Sequence, residues 1–374
     1  MDPAGGKIVA NARSTKSVIR PTRRQLLRSA GTLAAAAALQ MPFIRPARAA
    51  RSLRVATFGG DFEQSFAQHV YPAFTKATGI EVQSLERAEG TQFLFQLAQA
   101  NKAGKPPMDI CCAAETEVLR GRPGNLWRIY DAKRVPGLAS ITPRLLREGP
   151  SGPDCVAAMS WFVTLVVNPD EMKPLPDSWQ VLWQKHPDAW GVNGGSQSPL
   201  FEIAAHLFFG GNDALSTKEG IDQVVAKIGE IKPNVKLWWQ DEGTMQTALQ
   251  NDEVIGGTYL HDVAMSMIKL GAPLRSIFPR EGAMQGVSYW AQPSASTKAD
   301  EAEEFMNFCC SAAAQELIVR KVGSAPVIDR GRMDLTDAEF ASVSSDIPAI
   351  PMAAQARITF SAYLEQQFTK MVTS

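Results

Sequence analysis

Two α/β lobes are the architecture this sequence predicts, and three observations point there. The chain has 374 residues, long for a single core. Strand-like apolar runs alternate with helix-like spacing from Leu53 to Cys112, and again beyond Ala157. A Gly-Pro-rich stretch, Gly149 to Pro153, separates the two series. With 45% hydrophobic and 20% charged residues and no repeat, the composition suits a globular protein.

The first fifty residues carry a different pattern. Pro21-Thr22-Arg23-Arg24-Gln25-Leu26-Leu27 places paired arginines before apolar residues, and Gly31 to Leu39 follows as a short alanine-rich run. A run of roughly ten residues is too short for a bilayer core that needs about twenty. Ala47-Arg48-Ala49 then fits a small-residue cleavage site. Residues 1–49 are therefore expected to be a cleaved export signal of the twin-arginine kind, which carries folded proteins. Residues 1–50 hold nine Lys/Arg and one Asp, which leaves 29 basic against 37 acidic residues in the remainder. That acidic balance disfavours nucleic acid and anionic membranes as partners.

Along the mature chain, Leu53 to Phe58 reads as a strand, and Gly59-Gly60-Asp61 as a tight turn that Asp61 is expected to cap. Phe62, Phe66, Val70 and Phe74 recur at four-residue steps on one helix face, and Gly79 stops that helix. Ile80 to Val82, Gln92 to Ala103 and Met108 to Cys112 continue as strand, helix and strand, which implies a parallel sheet with right-handed crossovers. Ala157 to Val167 is the longest strand-like run and reads as the crossing into the other lobe. Beyond it, Ser178 to Trp183, Leu200 to Phe209 and Gly220 to Ile231 read as helices, with strands at Val254 to Tyr259 and Leu274 to Phe278. Ser288 to Gln292 turns strand-like again, and helices follow at Asp300 to Cys310, Ala313 to Val322 and Ala353 to Val372. Such a chain goes out, builds a lobe and returns, which leaves a cleft between lobes as the natural ligand site.

Several stretches stand in one family's order. Phe74-Thr75-Lys76-Ala77-Thr78-Gly79-Ile80-Glu81-Val82 matches F-x-K-x-T-G-I-x-V, and Asp177 to Trp183, Gly271-Ala272-Pro273, Pro279-Arg280-Glu281-Gly282 and Gly323-Ser324-Ala325-Pro326 follow. In this the chain resembles the extracellular solute-binding proteins of ABC importers, in the branch of the spermidine/putrescine-binding proteins. The resemblance implies a class II periplasmic-binding-protein fold with two hinge crossovers that close on a ligand. It places lobe 1 at 50–159 plus 289–330 and lobe 2 at 160–288 plus 331–374. Polyamine binders present a Trp and an Asp two residues apart after the Pro-basic-Glu-Gly turn; this chain has Gly286 and Ser288 there. Ser196-Gln197-Ser198 likewise stand where acidic residues are expected, so an amino-acid-like or carboxylated solute fits as readily as an amine.

The candidate ligand residues follow from element ends and from that resemblance. Gly59, Gly60, Asp61 and Phe62 open the first helix, where backbone N–H groups attract anions or simply make a turn. Glu115 ends a strand, or caps the next helix, and Trp161 at the crossover either stacks on a ligand or fills the core. Ser196, Gln197 and Ser198 open a helix, Trp239 precedes one, and Tyr259, His261 and Asp262 end a strand. Ser288 and Tyr289 mark the return crossover, and Ser324 lies in the Gly-x-x-Pro turn.

Other chemistry finds little support. The four histidines lie far apart and none has an H-x-x-x-H spacing, so no metal is expected. There is no G-x-S-x-G elbow, no Walker motif and no G-x-G-x-x-G. The five cysteines have no CxxC spacing and read as buried thiols, or as one disulfide involving Cys155. The expected protein is a non-enzymatic periplasmic receptor, monomeric and without cofactor, that binds a small polar solute and docks on a membrane permease. The alternative is a twin-arginine-exported enzyme carrying a cofactor.

Overall fold

A computed structural model describes residues 51–374 apart from Glu89, and all but the side chain of Asp61 among them. Those residues form one compact unit. The expected export signal and its paired arginines lie outside the described residues.

Strand β1 (Ser52–Thr57) buries Leu53, Val55 and Ala56, and Gly59 turns the chain with φ +84° into helix α1 (Gly60–Ser65). Gly59, not Asp61, is the N-cap, and no side chain caps this helix. The left-handed backbone explains the glycine. A Cβ there would also lie 2.6 Å from the Glu86 side chain. A π turn (Phe66–Val70) joins α1 to α2 (Tyr71–Thr78), which Gly79 ends in the left-handed region. Next come β2 (Glu81–Glu86), α3 (Gly90–Lys102), β3 (Ile110–Ala114) and α4 (Glu115–Gly121). Strand β4 (Val156–Val167) is almost wholly buried and is followed by β5 (Trp190–Asn193), α5 (Leu200–Phe209), α6 (Lys218–Gly229) and β6 (Val235–Trp239). Then come α7 (Glu242–Gln250), β7 (Gly256–Leu260), α8 (His261–Lys269), β8 (Arg275–Ile277) and β9 (Met284–Ala291). The chain closes with α9 (Ala299–Cys309), α10 (Ala312–Leu317), α11 (Asp337–Ala341), β10 (Ile350–Pro351), α12 (Ala354–Thr359) and α13 (Ser361–Thr373).

The strands hydrogen-bond in the order β2-β1-β3-β9-β4-β7-β5-β6, with β10 on β9 and β8 on β4. Pairing is parallel on the outer wings (β2-β1-β3 and β7-β5-β6) and antiparallel in the middle, where β9 and β4 run side by side from Val156↔Trp290 to Val163↔Met284. The expected parallel sheets are thus joined by an antiparallel ribbon, because the chain crosses outward on β4 and back on β9. Trp161 and Gly286 face each other on that ribbon, and the indole occupies the space a Cβ at 286 would need.

Two large cores flank the ribbon. One gathers residues from Leu53 to Met159 with Val287 to Ile328, and the other residues from Val163 to Val235 with the C-terminal helices. Short runs escaped the sequence reading. β5 is four residues with a glycine, needed because Met245 Sδ lies 2.5 Å from where a Cβ would stand on Gly191. All five cysteines are buried and free, which removes the disulfide alternative.

Candidate functional site

A cleft of about 500 Å³ opens between the two cores, beside the β4/β9 ribbon. On the lobe 1 side its wall is the β3–α4 junction: Ala114, Glu115 and Thr116. Opposite stand Asn193 from the end of β5, Gln197 and Pro199 from the following loop, and the β6–α7 turn from Trp239 to Glu242. Trp161 and Val163 of β4, Met284 and Val287 of β9, Leu260 and Met352 complete it. Apart from the loop residue Gln197, the carboxylate and amide contributors sit at strand ends or helix starts, where the backbone turns and side chains become free of the sheet.

Its chemistry is lopsided. Three carboxylate residues, Glu115, Asp241 and Glu242, and two indoles line the cleft, and no Lys, Arg or His does. Asp241 caps α7, accepting from Thr244 N at 2.9 Å and Thr244 Oγ1 at 2.6 Å, and these donors hold its carboxyl below the usual range. Two buried atoms of lining residues have no hydrogen-bond partner: Asn193 Oδ1 and Trp239 Nε1.

Each wall is held from behind by a buried Arg–Glu pair. In lobe 1, Glu117 accepts from Ala114 N at 2.9 Å and Gly90 N at 2.6 Å, and its carboxylate grips Arg87 at 2.7 and 3.1 Å. Arg87 lies between the Phe58 and Phe93 rings, 4.7 and 4.1 Å from their centroids, and donates to the Cys112 carbonyl. In lobe 2, Glu202 is fully buried and bonds Arg357 Nε and Nη2, both at 2.7 Å, and Ala353 N at 3.0 Å. Arg357 then donates to the carbonyls of Ser196 and Ser198, at 2.8 and 2.9 Å. Ser196 N donates to Glu365 Oε2. The C-terminal helices therefore hold the loop that carries Gln197 and Pro199 into the cleft.

Of the residues singled out from sequence, the structure brings Glu115, Trp161, Gln197 and Trp239 onto the cleft wall. Ser196 and Ser198 stand behind Gln197 as loop anchors, with Ser198 fully buried. Tyr259 lies beneath Trp239, rings edge to face at 5.8 Å, and its hydroxyl donates to the Glu242 carbonyl. His261 is buried too, hydrogen-bonded to Ser276 Oγ at 2.8 Å and the Ser342 carbonyl at 3.0 Å; burial pulls its pKa down to about 4. Asp262, raised by burial, is not on the cavity wall, nor are Ser288, Tyr289 and Ser324. Tyr289 instead donates to the Leu145 carbonyl. Gly59, Gly60 and Phe62 stand outside the lining as well, Phe62 stacking between Phe58 and Phe66. For Asp61 the side chain lies outside the description. Asn193, Asp241 and Glu242 were missed; the Trp-Trp-Gln-Asp-Glu run of 238–242, a strand end meeting a capping Asp, was the signal for two of them.

Residues 70–330 match the family model of the bacterial extracellular solute-binding proteins. The chain belongs to that family. It is 25% identical over 286 residues to the gamma-aminobutyric acid-binding protein of Pseudomonas aeruginosa, covering 74% of this chain and 77% of that one. Among solved structures, the Atu4243-GABA receptor superposes with a TM-score of 0.70 at 17% identity, over 86% of this chain and 98% of that chain. The spermidine/putrescine ABC transporter substrate-binding protein PotD of Streptococcus pneumoniae gives 0.67 at 17% identity, over 86% and 99%. This family member is a solute-binding receptor of the ABC-transporter type with the two-lobed fold, and the exported-enzyme alternative is left without support.

Proposed function

We propose that this receptor captures a small solute bearing an ammonium group, with ω-amino acids of the γ-aminobutyrate type as its first class. The observation that supports the reading most directly is the acidic, aromatic cleft: Asp241, Glu242 and two indoles, with no cation among the lining residues and Glu115 paired with Arg147 at its edge. An ammonium gains from carboxylates and from indole faces together. The gamma-aminobutyric acid-binding relative agrees with this. On this reading the lobes, 50–159 plus 289–330 and 160–288 plus 331–374, close over the solute and present it to one permease. The protein is monomeric and performs no catalysis. It reaches the periplasm through a twin-arginine signal cleaved near residue 49.

The test is a thermal-shift series pairing each amine with its amine-free counterpart. Ligand at about a hundred times its Kd adds roughly 2.7 kcal/mol to folding. The expected outcome is a raised midpoint with γ-aminobutyrate and none with butyrate. Equal shifts from both would sink the reading.

A further inference from the structure

The cleft does not end at Glu115 and Met352. A second cavity of about 380 Å³ shares both residues with it, so the two spaces adjoin along that edge. Arg147 lines the second cavity and is the one cation on either wall. Its position is pinned: Nε donates to Glu115 Oε1 at 2.5 Å, and Nη1 to the carbonyls of Arg144 and Leu146 at 2.9 and 2.8 Å. Nη2 makes no hydrogen bond among the described residues, and 29% of the side chain remains exposed. Glu115 is nearly inaccessible at 8%, and its charge is already matched by this arginine.

We propose that Arg147 and Glu115 form a charge filter at the cleft base, in which Arg147 takes the solute's carboxylate and its bond to Glu115 withholds that carboxylate from a second ammonium. Guanidinium donors at a free edge suit a carboxylate. A nearly buried carboxylate stripped of its partner, by contrast, attracts whatever cation reaches it. The inference rests on the amine reading above and goes beyond it, because it selects an amino acid over a diamine of similar length. The acceptors near Trp239 hold one ammonium, and the far end is read for its sign.

The experiment is calorimetric titration of the full-length protein and of Arg147→Met with γ-aminobutyrate, putrescine and butyrate, fold being checked by circular dichroism. The parent is expected to bind γ-aminobutyrate at least tenfold tighter than putrescine. Arg147→Met is expected to reverse that order, weakening γ-aminobutyrate and tightening putrescine as Glu115 is freed. An unchanged preference in the variant overturns the filter while leaving the amine reading intact. A parent that binds butyrate as well as γ-aminobutyrate overturns the amine reading alone; Arg147→Met must then still abolish butyrate binding for the filter to stand. A parent that binds none of the three overturns both. Should Arg147→Met fail to fold, Arg147→Lys, which keeps the charge but loses the fork, is expected to narrow the preference several-fold, and an unaltered ratio overturns the filter.

Discussion

The two arginine–glutamate pairs behind the cleft are chemically alike and wired in opposite senses. In lobe 1 the glutamate holds the wall's backbone, since Glu117 accepts from the Ala114 amide, while Arg87 is locked behind it between two rings. In lobe 2 the arginine holds the wall's backbone, since Arg357 donates to the carbonyls of Ser196 and Ser198 on either side of Gln197, while Glu202 is the buried anchor. A carboxylate organises N–H groups and so suits the start of a helix; a guanidinium gathers carbonyls and so suits an irregular loop. Each wall thus has the ion its backbone geometry requires. The loop wall depends on the C-terminal helices, whereas the α4 wall is stabilised within lobe 1.

The largest effect that would test this contrast is Glu202→Ala, which leaves Arg357 buried without its partner and is expected to cost about 3–5 kcal/mol in urea unfolding. Glu117→Ala should cost about 1 kcal/mol less, because each arginine keeps two carbonyl acceptors but only Arg87 also keeps two aromatic rings. Equal losses would break the comparison.

Acid should find lobe 2 first. His261 is the one buried histidine of the four, and its folded pKa is about 4, below the ordinary 6.5. Below pH 6.5 the unfolded chain takes up a proton that the folded protein refuses until about pH 4. Stability from this group therefore falls across that window, by about 2–3 kcal/mol, and levels below it. Comparing unfolding at pH 7 and pH 4.5 in the parent and in His261→Gln measures it; the variant should lose that part of the slope.

The smallest effect expected is Glu365→Ala, which frees the Ser196 amide at about 0.5–1 kcal/mol. Amide exchange should quicken at Ser196 and stay unchanged at Ala114. Faster exchange at both would mean that the walls are not held separately.

How legible this was in the sequence depended on the range of the interactions. Helix α5 was readable to the residue, because its apolar spacing and the glycine that ends it are local. The ribbon of β4 and β9 was seen as two crossovers but not as a pair, since nothing local in Ala157 to Val167 names its partner. Trp239 was found as an aromatic just before a helix, while the strand it ends was not. Ser196 and Ser198 were placed near the solute, yet their work is to be held by Arg357, about 160 residues away, a pairing no spacing rule reveals. Tyr259 and His261 were correctly set at a strand end, but burial turned both rings inward.

The five thiols carry one last consequence. Each is buried, and burial raises their pKa values, to about 12 at Cys111 and Cys310. Almost no thiolate exists at neutral pH, so an alkylating reagent reacts only with molecules that have opened. Labelling rate under native conditions becomes a clock for opening, with reporters beside both faces of lobe 1. The same protein that resists oxidation while folded offers five reactive sulfurs the moment it unfolds, which makes its chemical lifetime in an oxidising compartment a measure of its folding equilibrium.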